Sequence, residues 1–332
     1  MAENKGILIC AELLNDKLAP ITAELLGCGR HLADELQEEV TCLIIGSQLG
    51  DIPKAAITLG ADKVLTVDDP MFKDYQTEPY AAATEQVIKE NNPRVVLFGQ
   101  TAAGRDIAPL LAFKLGTHVS MDCLELKTNI ESKLLEKTRS VYGGNARATY
   151  TSELMPQMAT IRQKAISPLE PDSSRKGDII AVKIEFDISK GKAKVLDTVK
   201  EEVAGIKLED ANVIVSGGRG IGNPEGFKQL EDLARLLKGA VGASRPPCDN
   251  GWMPETAQIG LTGKIVSPEL YIAIAISGAS QHMAGSSGSK NIIAINKDPE
   301  ANIFKEARFG VVGDWKQLLP AFTEKVKELI EG

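Results

Sequence analysis

The sequence predicts an α/β protein of two α/β domains with mostly parallel sheets, the C-terminal one doubly wound. Three observations carry this prediction. Strand-length apolar runs alternate with helix-length amphipathic stretches over 6–115 and again over 211–330, the pattern of parallel strands covered on both faces. The chain has 332 residues, long for one domain and comfortable for two. Between the two alternating blocks lie the turn-rich LEPDSSRKGDI (169–179) and the extended, polar IIAVKIEFDIS (179–189) and KAKVLDTVKEE (192–202). A cut near 190–207 gives domains of 1–200 and 201–332.

In the first domain GILICAEL (6–13) reads as a strand and 19–39 as a helix with Leu25, Leu32 and Leu36 on one side. The strand VTCLIIGS (40–47), a short helix over 52–59, the strand KVLTVDD (63–69) and a helix over 75–90 follow. RVVLFGQ (94–100) is the next strand, and a helix runs from about 104 to 115. From 117 to about 170 the texture becomes β-rich and more polar, predicting antiparallel additions at the sheet edge, QMATIRQ among them. In the second domain, strands are predicted at 211–215, 239–243, 270–276, 291–295 and 309–312, with helices at 224–238, 300–307 and 315–330. Pro320 is expected in the first turn of the last helix, or to break it.

Composition narrows the function classes. A formal net charge of −7 argues against nucleic acid as the main partner. No run of 18 apolar residues is present, so no membrane-spanning helix is expected. The N-terminus MAENKGILIC has the features of neither a signal nor a transit peptide. The five cysteines form no CxxC pair and the three histidines are scattered, so a metal centre is not expected and the chain reads as cytoplasmic and reduced.

The candidate chemistry lies at strand ends of the second domain. VIVSGGRGIG (213–222) runs a short strand into a glycine-rich turn bearing Arg219. It fails as a dinucleotide fingerprint: Gly218 and Gly220 fit the first two positions, but the sixth is Asn223, and starting from Gly220 and Gly222 the sixth is Glu225. The following strand ends in Ser244 and Arg245, not in an acid, and the Gly-Lys-Ser/Thr ending of a P-loop is missing. Glycine turns at strand ends nevertheless offer N–H groups to anions, and Arg219 adds a charge, so a phosphate or pyrophosphate site of another kind is expected. Arg245, stiffened by Pro246 and Pro247, should share that crevice.

Gln258 to Lys264, QIGLTGK, is a glycine-punctuated loop rich in hydrogen-bonding groups, including Thr262. Ser277, Gln281 and His282 follow the next strand, Asn296 ends another and Asp314 follows the last. Nothing on this rim makes a nucleophile–base pair, a carboxylate pair or a metal cluster. Arginine, hydroxyl, amide and a single histidine suit tuning a cofactor with its own reactivity, and FAD used for electron transfer fits better than hydrolysis. An NAD(P)-dependent dehydrogenase and a non-redox nucleotide-binding module are the alternatives; the broken fingerprint counts against the first.

Taken together, VIVSGGRG (213–220), VGASRPPCDNGWMP (241–254), AQIGLTGKIVSPELYIAIAISGASQHMAG (257–285) and NIIAINKDPEANIF (291–304) resemble the alpha subunit of the electron transfer flavoprotein family, as does GQTAAGRDIAPLLAFKLGTHVSMD (99–122) in the first half. The resemblance spans essentially the whole chain. It implies an N-terminal α/β domain packing with a beta subunit and a C-terminal domain that binds FAD. By the same resemblance Arg245 lies near the flavin N5 side and favours its anionic semiquinone. Thr262 bonds around N5 or O4, and His282 faces the C2 carbonyl. Ser244, Gln258, Ser277 and Gln281 match FAD-contacting positions, with Lys264 as a neighbour. Arg219 and Asn296 attend the pyrophosphate and ribityl–adenosine portion, and Asp314 the adenosine end. Leu261 stands where many members carry glutamine. The implied partners are the beta subunit in a heterodimer and an acyl-CoA dehydrogenase or related flavoprotein. In some bacterial relatives, ferredoxin and NADH are reached through an electron-bifurcating complex.

Overall fold

The structure is a computed structural model describing residues 4–144, 146–185, 193, 195–196 and 205–331. The chain divides into two compact units, one of Met1–Val141 with Arg147–Val199, the other of Tyr142–Ala146 with Lys200–Gly332.

The first unit begins with β1 (Ile7–Cys10), a small hairpin of β2 (Leu13–Leu14) and β3 (Lys17–Leu18), and α1 (Pro20–Leu36). Then come β4 (Val40–Gly46), α2 (Ile52–Thr58), β5 (Lys63–Asp68), α3 (Thr77–Asn91), β6 (Val95–Gly99) and α4 (Ala102–Leu115). β7 (Val119–Thr128), β8 (Leu135–Val141), β9 (Ala146–Tyr150), β10 (Gln157–Ile161) and β11 (Asp178–Ala181) complete it. The helix ends follow local chemistry. Pro20 supplies a fixed φ at the start of α1, the Thr101 hydroxyl caps α4, and left-handed Gln37, Asn92 and Gly116 close α1, α3 and α4. The sheet order is β11-β5-β4-β1-β6-β10-β7-β8-β9, parallel from β11 to β7 and antiparallel between β7 and β8.

Successive residues of β1 face opposite cores. Ile7 and Ile9 pack with Leu25, Leu26 and Leu32 of α1, whereas Leu8 packs with Val87 of α3 and Leu111 of α4. One sequence expectation is corrected here. β10, from the QMATIRQ segment, is not an antiparallel edge strand: every residue of it is buried, and it lies parallel between β6 and β7. A strand covered on both faces must be apolar throughout or have its polar groups bonded. Here Gln157 meets that demand by accepting from the Leu135 N–H at 2.6 Å and donating to the Lys133 carbonyl at 3.2 Å. The extended segment expected over 179–189 is seen as β11 at its start, and most of 192–202 lies outside the described residues.

The second unit contains β12 (Val213–Gly217), α5 (Pro224–Leu236), β13 (Ala240–Ala243), α6 (Arg245–Asp249), β14 (Leu270–Ile274), α7 (Ser280–Ser286), β15 (Asn291–Asn296), α8 (Ile303–Glu306), β16 (Phe309–Val312) and α9 (Trp315–Glu331). Its sheet is all parallel in the order β13-β12-β14-β15-β16. Val215, Ile272 and Ile274 pack under α5 and α9, through Phe227, Leu230, Trp315 and Leu319. Ile214, Tyr271 and Ala273 face the opposite side, with Met283 of α7 and Ile303 of α8. Pro320 neither breaks α9 nor sits in its first turn. It is the sixth residue of an uninterrupted helix, and the burial of Trp315 and Leu319, each one residue before an end of the lost bond to Lys316, holds the turn in place. Among the described residues no helix is long and apolar enough to cross a membrane.

Candidate functional site at the carboxyl ends of the second sheet

Register sets the site. Gly217 pairs with Ala243 on one side and with Ile274 on the other, Ile274 pairs with Ile295, and Ile295 with Val311. All five strands therefore reach one edge on the same row, and the chain leaves that row at Gly218, Ser244, Ala275, Asn296 and Val312. α5 connects β12 to β13 on one face, while α7 connects β14 to β15 on the other. The crossovers thus part between β12 and β14, and a crevice opens there beyond the carboxyl ends, the position at which doubly wound sheets bind ligands.

The glycine turn forms one wall. Gly218 donates its N–H to the Ile274 carbonyl at 2.9 Å, and a Cβ there would lie 2.1 Å from the Ala275 carbonyl oxygen; no larger residue fits. Trp315 fastens the turn from α9 by donating its indole N–H to the Gly220 carbonyl at 3.1 Å. Ala275, across the crevice, holds a left-handed φ of 54°, which costs a non-glycine residue roughly 1–2 kcal/mol. The N–H groups of Arg219 and Gly220, and of Ser277, Gly278 and Ala279 opposite, donate no hydrogen bond among the described residues. Unpaired amides on both lips of a strand-end crevice form a receptor for anionic oxygen. Arg219, exposed, adds its charge.

Ser244 and Arg245 open α6 as its N-cap and first residue. Ser244 is buried and donates its N–H to the Gly217 carbonyl at 3.0 Å. The Arg245 side chain is 66% exposed and pairs with Asp249 one turn on, at 3.2 Å. The 258–264 loop is clamped from both sides: the Ile259 N–H donates to Ala243, the Leu261 N–H to Gln281 (2.7 Å), and the Lys264 N–H to Gln258 (2.7 Å). Gln258 donates its side-chain amide to the Thr262 hydroxyl at 3.0 Å. That leaves the hydroxyl proton of exposed Thr262 free to point outward, beside exposed Leu261. Lys264 is paired with Glu209 at 2.5 Å.

His282 lies beneath this loop, only 7% exposed. Its Nδ1 is 3.0 Å from the Ile259 carbonyl oxygen and its Nε2 is 2.9 Å from the Tyr271 hydroxyl. A carbonyl can only accept, so Nδ1 carries the proton and Nε2 accepts from Tyr271. Burial lowers the His282 pKa to about 4, against the opposing pull of the Ile259 carbonyl, and the ring is neutral at pH 7. Ser216, fully buried, stands beside the Tyr271 hydroxyl, whose pKa burial raises. Asn296 is buried, donating to the Ile276 carbonyl at 2.8 Å and accepting from the Asp298 N–H at 3.0 Å. Asp314 caps α9, accepting from the Lys316 N–H at 3.0 Å.

The structure therefore gathers the expected residues on one rim but divides them. Arg219, Arg245, Thr262, Ser277, Gln281 and Asp314 are exposed there and Gln258 is partly so, whereas Ser244, His282 and Asn296 are buried. Sequence reading overlooked Tyr271, Ser216 and Ala275. Tyr271 sits in the apolar strand LYIAI and passes for core, and a left-handed alanine leaves no mark in composition.

A doubly wound unit with unpaired amides at its switch point and arginines on the rim belongs to the class of proteins that hold a phosphorylated cofactor. The comparisons with known proteins narrow that class. Residues 7–187 match the electron transfer flavoprotein domain, and residues 207–287 match the electron transfer flavoprotein FAD-binding domain. The electron transfer flavoprotein subunit alpha of Thermoanaerobacterium thermosaccharolyticum is 43% identical over 99% of this chain and 100% of its own length. That of Bacillus subtilis is 40% identical over 98% of both chains. Protein FixB of Clostridium saccharobutylicum is 38% identical over 99% of this chain and 98% of its own. The chain belongs to the electron transfer flavoprotein alpha-subunit family, and its cofactor is FAD. Benzoylformate decarboxylase from Polynucleobacter necessarius, of which the chain spans 58%, is 12% identical with a TM-score of 0.22, too distant to bear on fold or function.

Proposed function

We propose that the rim of the second unit holds FAD between the glycine turn and the 258–264 loop, and that the chain transfers electrons as one half of a heterodimer with an electron transfer flavoprotein beta subunit. The donor is an acyl-CoA dehydrogenase or a related flavoprotein. The observation that carries this reading is the set of unpaired N–H groups at Arg219, Gly220, Ser277, Gly278 and Ala279 around the switch point, which fit a pyrophosphate without a dinucleotide fingerprint. Bound FAD supplies both one- and two-electron chemistry.

The residues then have distinct tasks. Arg219 and the free amides neutralise the pyrophosphate, with Ser277 and Gln281 on the same lip. Arg245 places positive charge by the isoalloxazine, tempered by Asp249. Gln258 orients the Thr262 hydroxyl, which donates outward to the ring edge. Ser244 closes the floor. His282 serves the C2-carbonyl side of the flavin, and its Nδ1–H holds the Ile259 carbonyl and with it the loop. Asn296 and Asp314 shape the lip towards the adenosine end by fixing the turns that leave β15 and β16.

The test is to co-purify the chain with its beta subunit, record the flavin spectrum and count flavins per heterodimer. A flavin spectrum that persists with this chain, and flavin that is released more readily from Arg219→Ala, support the site. A folded, colourless complex overturns it. Two flavins, with NADH-driven ferredoxin reduction, place the pair in a bifurcating system; one flavin makes it a simple carrier.

A further inference from the structure

The first unit has a switch point of its own, and a cavity lies at it. Its parallel strands run β5-β4-β1-β6, with α1 crossing from β1 to β4 on one face and α3 leading from β5 to β6 on the other. The crossovers part between β1 and β6, and beyond their carboxyl ends is a cavity of about 280 Å³. Glu12, just past β1, and Gly104, in the first turn of α4, belong to its lining. So do Phe72, Tyr75 and Tyr80, which form an aromatic cluster with ring centroids 5.4 Å apart for Phe72–Tyr80 and 4.9 Å for Tyr75–Tyr80.

The chain's own groups partly close the two helix N-termini here, although the Ile21, Ala102 and Ala103 N–H groups donate no hydrogen bond among the described residues. α1 starts on Pro20, which has no N–H, and the Ala19 N–H donates to the Glu12 carbonyl at 2.8 Å. The Glu12 N–H donates to the Thr22 hydroxyl at 2.9 Å, and that hydroxyl donates back to the Glu12 carbonyl at 3.0 Å. In α4 the Gly104 N–H donates to the Thr101 hydroxyl, whose proton goes to Glu12 Oε1 at 2.8 Å. A carboxylate thus occupies the place an anion would take. Glu12 Oε2 makes no hydrogen bond among the described residues, and burial raises the carboxyl pKa. The Tyr75 and Tyr80 hydroxyls donate to the Ala103 and Phe72 carbonyls, so their protons are committed elsewhere. Asp16 adds negative charge, and Lys73, on the exposed rim, is the one cation in the lining.

A desolvated carboxylate with one free oxygen beside aromatic rings attracts a cation with an apolar body. We propose that this cavity binds a small organic ammonium, its charged nitrogen on Glu12 Oε2 and its apolar part against Phe72, Tyr75 and Tyr80. This site is independent of the FAD reading.

Calorimetric titration of the full, FAD-loaded protein with 2-phenylethylammonium tests it, with 3-phenylpropionate as the anion of similar size. The expected result is saturable one-site binding of the ammonium and none of the anion, with Glu12→Gln weakening the ammonium at least tenfold. Because Glu12→Gln also alters the Thr101 bond, Ala103→Met provides a second arm: it fills the cavity, keeps the charge and should abolish binding. The proposal is overturned if the ammonium fails to saturate at tens of millimolar, if the propionate binds as well, or if folded Ala103→Met binds unchanged.

Discussion

The two units solve the same architectural problem and end with opposite chemistry. Each has a parallel sheet whose crossover helices part at a switch point, and each brings a glycine close against a strand end, Gly218 against that of β14 in the second unit and Gly104 against that of β6 in the first. In the second unit the chain leaves that point with free N–H groups and arginine, and the crevice is electropositive. In the first it leaves with Glu12, and its own carbonyls and hydroxyls take up part of both helix starts. The fold fixes where a ligand can sit, and a handful of rim residues decide its charge.

The strongest way to separate the two rims is through those glycines. A Cβ at Gly218 would meet the Ala275 carbonyl oxygen at 2.1 Å, and one at Gly104 the Gly99 carbonyl oxygen at 1.8 Å. Backbone cannot yield as a side chain does, so each alanine substitution should cost roughly 3 kcal/mol. Gly218→Ala should lose its flavin absorbance, while Gly104→Ala retains it at a lower melting temperature. Equal flavin loss in both variants would show that the rims are not separable.

How much of this was legible in the sequence differs between the units. In the second, strands and helices alternate cleanly, and glycine, arginine and serine at strand ends mark the rim directly. In the first, a polar glutamine opening QMATI disguised a central strand, because its side chain is satisfied by Leu135 and Lys133, which no periodicity reveals. His282 shows the limit at the site. Its place after a strand end was readable, but not that Tyr271, eleven residues earlier, would take its Nε2. Likewise the strand-end Glu12 passed unnoticed, since its meaning depends on Thr101, 89 residues away.

Acidification should pull the units apart. His282 is neutral when folded, with a pKa of about 4 against 6.5 for a free histidine. The unfolded chain takes up that proton first, so the second unit loses stability as the pH falls from about 6.5 towards 4, by roughly 3 kcal/mol in full. Glu24 of α1 has the opposite sign. Burial raises its carboxyl to about 7, despite the Lys164 N–H that it accepts, so the first unit gains stability as the pH falls from about 7 towards 4.5. Hydrogen exchange at pH 7, 5.5 and 4 should show protection falling in β12–β15 while α1 holds or improves, and His282→Gln should flatten the former slope.

Tyr271→Phe probes the same network more gently. It leaves Nε2 of His282 buried without a donor, which costs about 1–3 kcal/mol, and loosens the ring that holds the Ile259 carbonyl. Exchange at the amides of Ile259, Leu261 and Lys264 should quicken while the first unit is unaffected. An unchanged exchange rate at these amides would mean that the backbone bonds to Ala243, Gln281 and Gln258 suffice to hold the loop.

The smallest effects belong to the exposed arginines, and they separate binding from tuning on the electropositive rim. Arg245→Ala removes a charge that is 66% exposed and shared with Asp249, so its influence on the flavin is damped by solvent and by its partner. The reduction potential should fall by no more than about 59 mV, a tenfold change for a one-electron step, with FAD affinity nearly unchanged. Asp249→Ala should shift the potential the other way by a smaller amount, because the arginine is then free of its counter-charge. Arg219→Ala should do the reverse of Arg245→Ala, weakening FAD retention about tenfold through the lost phosphate contact while the potential stays put. Spectroelectrochemistry and flavin release on the same three proteins read both quantities. If Arg219→Ala shifts the potential and Arg245→Ala releases the flavin, the two arginines have exchanged the ends of the cofactor assigned to them.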